Sequence, residues 1–274
     1  MVEVKSGYGL SIEGELRLLR VIQRVAARLP IRVVATLLLH VPPAAEEVES
    51  YLRRVEAELI PEVARQQLAR AVDIFIEKEA WTAKQAERVL TCALSHGLQV
   101  KVHAEQFHSV GGVELALRLN ALSVDHLEAC TPEQFRLFRD SLTIATVLPG
   151  VSLHLGIPRA PGRQLIDAGA AVAVGTDLNP GSSPLFSISG ALGLAVRLNG
   201  LTMQEALTAG TINAACALGL TDAGRIAVGQ PADFVVLHSA DWRDLIYTLG
   251  SNPVREVWAG GDCIVPSTEE EEWR

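Results

Sequence analysis

The sequence predicts an α/β chain, an incomplete (β/α)8 TIM-like barrel over residues 1–222 with a small β module over 223–274. Three observations carry this. Strand-length apolar runs alternate with helix-spaced segments over the first 180 residues, as in βαβ crossovers onto a parallel sheet. Several of those runs end in a polar residue, at the strand end where such barrels place their chemistry. After Leu201 the alternation stops and short helices and a hairpin follow.

The strands are expected at 2–5, 32–39, 72–76, 99–103, 122–126, 142–148 and 171–176. Helical spacing covers 12–29, 46–68, 82–96, 113–119, 132–139 and 162–168, with Leu16, Leu19, Ile22, Val25 and Leu29 on one stripe of the first. Thr131 before Pro132 is an N-cap signal, and His96 before Gly97 marks a helix end. Seven strands are one short of a closed barrel. An open doubly wound sheet would need a glycine-rich phosphate turn, and Gly7 and Gly9 lack the third glycine. Beyond the barrel, 202–209 and 212–218 read as helices and 234–237 as a strand. Residues 254–259 and 262–265 form a hairpin on Gly260-Gly261, and Glu269–Glu272 a solvated acidic tail.

The 274 residues carry 24 Lys+Arg against 32 Asp+Glu, a formal charge of −8. That balance leaves no basic surplus for nucleic acid or an anionic membrane. Hydrophobic residues reach 49%, yet no apolar run approaches the ~18 residues of a membrane span. The start, Met1-Val2-Glu3-Val4-Lys5, has no signal-like hydrophobic stretch. Cys92, Cys130, Cys216 and Cys263 form no CxxC pair and read as buried, reduced thiols in a cytoplasmic protein.

Chemistry concentrates at three strand ends. His103 closes one strand, and period-2 alternation places Glu105 on the same side. His126 closes the next, and Asp177 follows the last, opening a turn rich in Pro, Gly and Ser. Two imidazoles and a carboxylate facing one mouth suit a hydrolytic zinc or iron(II) ion. Such a site acidifies water, and a histidine off the metal can polarise a carbonyl.

Lys5-Ser6-Gly7-Tyr8-Gly9, His40 with Pro42-Pro43, His103-Ala104-Glu105-Gln106, Asp125-His126-Leu127-Glu128 and Thr176-Asp177-Leu178-Asn179-Pro180-Gly181 closely resemble the imidazolonepropionases. These are amidohydrolase-superfamily enzymes of histidine degradation, and the likeness runs in order along essentially the whole chain. The resemblance implies a metal-dependent hydrolase barrel followed by part of a β-sandwich, with Gly224–Asp233 as the return into the sandwich. It implies ring opening of 4-imidazolone-5-propanoate to N-formimidoyl-L-glutamate. His103 and Asp177 match metal ligands for zinc or iron, and Asp177 also matches the acceptor of the water proton. His126 matches the histidine beside the metal. Tyr8, His40, Gln106, Asn179, Gly181 and Ser182 match substrate contacts. The implied partner is a small molecule, with a homodimer as the candidate assembly.

Departures qualify the match. Residues 75–82 differ from the family pattern, which is expected to bear on packing rather than catalysis, and the segment after His40 is shorter. No H-x-H pair occurs among the seven histidines, although the family's first barrel strand supplies two metal ligands that way. The expectation is a chain that starts at the family's second strand and binds metal weakly alone. A related cyclic amidohydrolase, a deaminase and a non-catalytic remnant stay open as alternatives. His96, His108, His154 and His238 read as structural.

Overall fold

The computed structural model describes residues 1–266; the acidic tail lies outside the described residues. Seven parallel strands run in sequence order: β1 Val2–Lys5, β2 Val33–Leu39, β3 Ala71–Ile76, β4 Gln99–Ala104, β5 Ser123–His126, β6 Ile144–Val147 and β7 Val172–Val174. Among the described residues β1 and β7 each pair on one side only. Every expected strand forms, with ends shifted by up to two residues.

The sheet is strongly curled, and one side chain proves it. Lys5 on β1 places its Nζ 2.7 Å from Asp125 Oδ2 on β5. In a flat sheet those strands would lie about 19 Å apart, four strand spacings. Only a barrel-like curl brings them together around a shared interior.

Helices cover the outer face. Ala86, Val89, Leu90 and Ala93 from the helix Ala83–Ser95 bury themselves in the core with Ile74, Val100 and Val102 of β3 and β4. Burying each large aliphatic side chain contributes roughly 1.5–3 kcal/mol. Thr131 N–H donates to Gln134 Oε1 at the start of the helix Pro132–Leu137, and Gly97 adopts φ 77° after the His96 C-cap, as the cap signals predict.

Three expectations need correction. The helix expected over 46–68 is interrupted: Val48–Arg54, a π-helical turn at Val55–Leu59, then Ile60–Gln66. Pro61 has no N–H to donate into the preceding turn, and the widened turn accommodates that. Helices Pro149–Leu155 and Ile188–Leu198 arise where glycine or proline hid the periodicity. Finally, Cys216 and Cys263 are exposed rather than buried, because one ends the short helix Ile212–Cys216 and the other lies on an edge strand.

A separate antiparallel sheet, β8 Phe234–Leu237, β9 Val254–Ala259 and β10 Asp262–Val265, forms the C-terminal β module. Gly260 and Gly261 take φ 59° and 94° in its hairpin, a conformation open to glycine at little cost. Among the described residues no helix is long and apolar enough to cross a membrane.

Candidate active site at the mouth of the curled sheet

The mouth begins with the turn after β1. Gly7 has φ 115°, and a Cβ there would meet Leu38 Cγ at 2.9 Å; a Cβ on Gly9 would collide with the Gly14 backbone. Both glycines are needed for the turn to pass so close to β2 and the first helix. The buried Glu15 carboxylate accepts N–H bonds from Gly7 (2.7 Å), Gly9 (2.7 Å) and Leu10 (3.0 Å). This turn presents Tyr8, whose ring lies 5.4 Å from that of His40 at the end of β2.

From there a file of rings crosses the mouth. His40 stacks on Phe75 (5.8 Å), Phe75 lies 6.4 Å from His126, and His126 lies 5.2 Å from His103. Phase and strand order explain the file: His40, Phe75, His103 and His126 sit at or near the carboxyl ends of β2 to β5. Residues 75–82 therefore reach the site, since Phe75 belongs to this wall.

Asp177 stands across from these rings, three residues past β7. Its charge contributes to the shifts of three of them. Burial and then the Asp177 charge raise the Tyr8 phenol above its ordinary value. Burial and the neighbouring His103 lower His40, outweighing the pull of Asp177, which leaves it a neutral imidazole at pH 7. Burial opposes protonation of His126, but Glu128, Asp177 and Asp125 together raise it. Glu128 Oε2 lies 3.6 Å from His126 Nδ1, an ion-pair distance longer than a hydrogen bond, and both atoms are buried without a hydrogen-bond partner.

Backbone strain collects at the same mouth. Glu105, His126, Leu127 and Asp177 all take positive φ (56°, 89°, 74° and 48°). Each such residue costs of order 1–3 kcal/mol and persists only where the surroundings enforce it. The strain overturns one expectation. Glu105 does not share the His103 side: its left-handed backbone breaks the alternation, and its carboxylate accepts from Val110, Gly112 and Val113 N–H groups. Glu105 and Glu77, which accepts from Phe107 N–H and His108 N–H, together pin the loop that carries Gln106. Gln106 is buried, and its side chain has no protein hydrogen bond among the described residues.

The turn after β7 is organised by Asn179. Its Nδ2 donates to Asp177 Oδ2 (3.0 Å) and its Oδ1 accepts from Gly181 N–H (2.9 Å) and Ser182 N–H (2.7 Å). Asn179, Gly181 and Ser182 thus form one self-bonded turn that orients Asp177. His96, His108, His154 and His238 are exposed, away from this convergence, although His108 Nδ1 lies 2.8 Å from Glu77 Oε1.

Below the mouth lies a layer the sequence did not reveal. Lys5 Nζ donates to Asp73 Oδ2 and Asp125 Oδ2, both at 2.7 Å; Lys101 Nζ donates to Glu3 (2.8 and 2.9 Å); Thr36 Oγ1 donates to Glu3 at 2.6 Å. Burial would depress the Lys5 ammonium, yet Asp125, Asp73 and Glu3 hold it well above its ordinary value. Burial would raise Asp73 and Asp125, yet the His103 ring and Lys5 hold the first, and Lys101 and Lys5 the second, below the usual carboxylate range. Ligand atoms of Asp73, His103 and Asp125 lie within 4.8 Å of one another, a spacing that suits a metal. The Lys5 ammonium already bonds both carboxylates, so this interior cluster has its cation.

At the mouth, His103 is the residue whose surroundings suit a metal ligand. His103 Nδ1 faces Asp73 Oδ1 at 3.0 Å, while its Nε2 has no protein hydrogen bond among the described residues. An imidazole oriented by a carboxylate through one ring nitrogen is a donor suited to zinc or iron(II) through the other.

Comparison with known proteins agrees with this geometry. An amidohydrolase family model matches residues 4–265. The chain is 59% identical over 96% of its length to the imidazolonepropionase of Deinococcus deserti and 57% identical over 94% to that of Deinococcus radiodurans. It spans 65% and 64% of those curated relatives. Among solved structures it is similar to an adenosine deaminase from Xanthomonas campestris with bound zinc (TM-score 0.72, 21% identity, 93% of this chain and 66% of that one). It also resembles the atrazine chlorohydrolase of Arthrobacter aurescens TC1 complexed with zinc (TM-score 0.74, 18% identity, 97% and 68%). At those identities the solved structures speak for the fold alone.

Proposed function

The chain belongs to the amidohydrolase family, and from that premise we propose that it carries imidazolonepropionase chemistry, the hydrolytic opening of 4-imidazolone-5-propanoate to N-formimidoyl-L-glutamate. The observation that supports this most is the file of rings from Tyr8 through His40 and Phe75 to His126 and His103, three of them under the charge of Asp177, with His103 Nε2 unpartnered among the described residues. The named relatives point to the same substrate.

In the reaction, water oxygen bonds to the ring carbonyl carbon, the C–N bond breaks, and its electron pair leaves with nitrogen. His103 and Asp177 would hold a zinc or iron ion, which would supply Lewis acidity and an acidified water. Asp177 takes the water proton and returns it to the departing nitrogen. Asn179 keeps one Asp177 oxygen engaged, which leaves the other to face the reactants. His126, with Glu128 behind it favouring the protonated ring, donates to the carbonyl oxygen as negative charge develops. Tyr8 and neutral His40 line one wall, and Gln106, Gly181 and Ser182 complete the substrate contacts.

We further assign residues 1–222 to the hydrolase barrel and 223–274 to the sandwich part, in a cytoplasmic protein whose four thiols are free.

The test is direct. The purified chain, supplied with zinc or ferrous ion, is incubated with imidazolone propionate, with other cyclic amides and with aminated rings, and products are identified by mass. Formation of N-formimidoyl-L-glutamate at the highest kcat/KM supports the proposal. Faster turnover of another ring, or none at all, overturns it.

A further inference from the structure

His103 is not held by the mouth. It is held from beneath, by the interior ion layer. Its Nδ1 lies 3.0 Å from Asp73 Oδ1, and the other oxygen of that carboxylate accepts from Lys5 Nζ at 2.7 Å. Lys5 is fixed in turn by Asp125 Oδ2 at 2.7 Å, and Asp125 Oδ1 accepts from Ser123 Oγ at 2.7 Å. Asp73 has no side-chain exposure to solvent. Its carboxylate therefore cannot rotate without breaking a short charged contact inside the barrel.

We propose that Asp73 and Lys5 are positioning residues that fix the tautomer of His103, with the proton on Nδ1 and the lone pair on Nε2 aimed at the mouth. An ionised carboxylate can only accept, so the Asp73 contact requires a hydrogen on Nδ1. A neutral imidazole then has its acceptor at Nε2, the form that binds a metal ion. Lys5 serves this end in two ways: it holds Asp73 Oδ2, which turns Oδ1 to the ring, and its ammonium bonds both carboxylates of the Asp73, His103 and Asp125 group. The interior pocket of acceptors is thereby closed to a second cation. A layer that served only to balance charge would have no need to present one free carboxylate oxygen to His103.

The use of Nε2 toward a metal rests on the proposed function; the tautomer itself does not. It is read on the full chain, without added metal, from two-bond 1H–15N correlations of 15N-histidine-labelled protein at pH 8, with His103 assigned by its loss in His103→Gln. The expected spectrum shows a protonated Nδ1 and a pyridine-like Nε2. In Asp73→Asn the Nε2–H form should appear alongside it, and zinc affinity, measured by competition with a chromophoric chelator, should fall by about 10- to 100-fold. Lys5→Met should bring in the same mixed spectrum, with folding checked by amide dispersion. An Nε2–H tautomer in the unaltered chain would overturn the proposal. So would a folded Asp73→Asn chain that keeps the unaltered spectrum. A protonated Nδ1 together with failure to turn over imidazolone propionate would leave the positioning role standing and remove the assigned substrate alone.

Discussion

Two layers of the curled sheet, a few residues apart along the same strands, have been built to opposite specifications. In the interior layer Glu3, Lys5, Asp73, Lys101 and Asp125 are matched in sign and bonded at 2.7–2.9 Å. At the mouth, His126 Nδ1 and Glu128 Oε2 are buried without a hydrogen bond, His103 Nε2 has no protein partner among the described residues, and four non-glycine residues take positive φ. The first arrangement is what a stable interior needs, since an unpaired buried charge costs several kcal/mol. The second is what a site needs if its polar groups are to be satisfied by something that is not protein. Lys5, Asp73 and His103 are the seam between them.

That contrast can be broken from either side. The largest effect belongs to the mouth: Asp177→Asn should lower turnover of imidazolone propionate by roughly 10²–10⁴-fold, the usual range for loss of a proton-transfer group. The same change should lower stability by only about 0.5–1.5 kcal/mol, the worth of the one side-chain hydrogen bond from Asn179 that it disturbs. In the interior the outcome reverses. Lys5→Met leaves Asp73 without an ammonium partner and Asp125 with only Lys101 at 3.9 Å, and denaturant titration should show a loss of about 3–5 kcal/mol. Gly7→Ala falls between the two, because it strains a φ of 115° and presses on Leu38. A loss of about 1–3 kcal/mol is expected by chemical denaturation, with Tyr8 displaced and KM raised.

The smallest effect is a pH dependence. Burial would raise the Glu77 carboxyl, but N–H bonds from Lys78, Phe107 and His108, with the His108 ring, lower it below its ordinary value. A carboxyl lowered on folding stabilises fully above its unfolded pKa, and that contribution is lost as pH falls through the folded value. Glu77→Gln should therefore melt below the unaltered chain at pH 7, by about 0.5–1.5 kcal/mol, and the gap should close as pH falls below about 4. A gap that persists to pH 3 would mean that shape, and not charge, makes Glu77 hold the Gln106 loop.

The mouth was more legible in the sequence than the layer beneath it. His103, His126 and Asp177 announce themselves because a buried parallel strand reads as an apolar run, and a polar residue ending such a run is conspicuous. The glycines of the Lys5–Gly9 turn are legible for a similar reason. The interior layer is not. Lys5 and Asp125 lie 120 residues apart in sequence and meet only because the sheet curls. Glu15 and Glu77 look like surface charge along the chain, yet each is a buried acceptor for backbone N–H groups. Alternation also failed at Glu105, because a two-residue period holds only while the backbone stays extended. Helical spacing runs straight through 46–68 and gives no sign of the π-helical turn that Pro61 requires, whereas Gly190 and Gly193 obscured the helix Ile188–Leu198.

On the proposed function the mouth faces the metal, while the interior already holds its cation in Lys5. Anomalous diffraction at the zinc edge, from crystals of this chain equilibrated with zinc, locates the ion without reference to activity. A peak about 2.0–2.2 Å from His103 Nε2 and from an Asp177 oxygen is predicted, with Lys5 still bonded to Asp73 and Asp125. A peak between Asp73 and Asp125, with Lys5 displaced, would contradict the account.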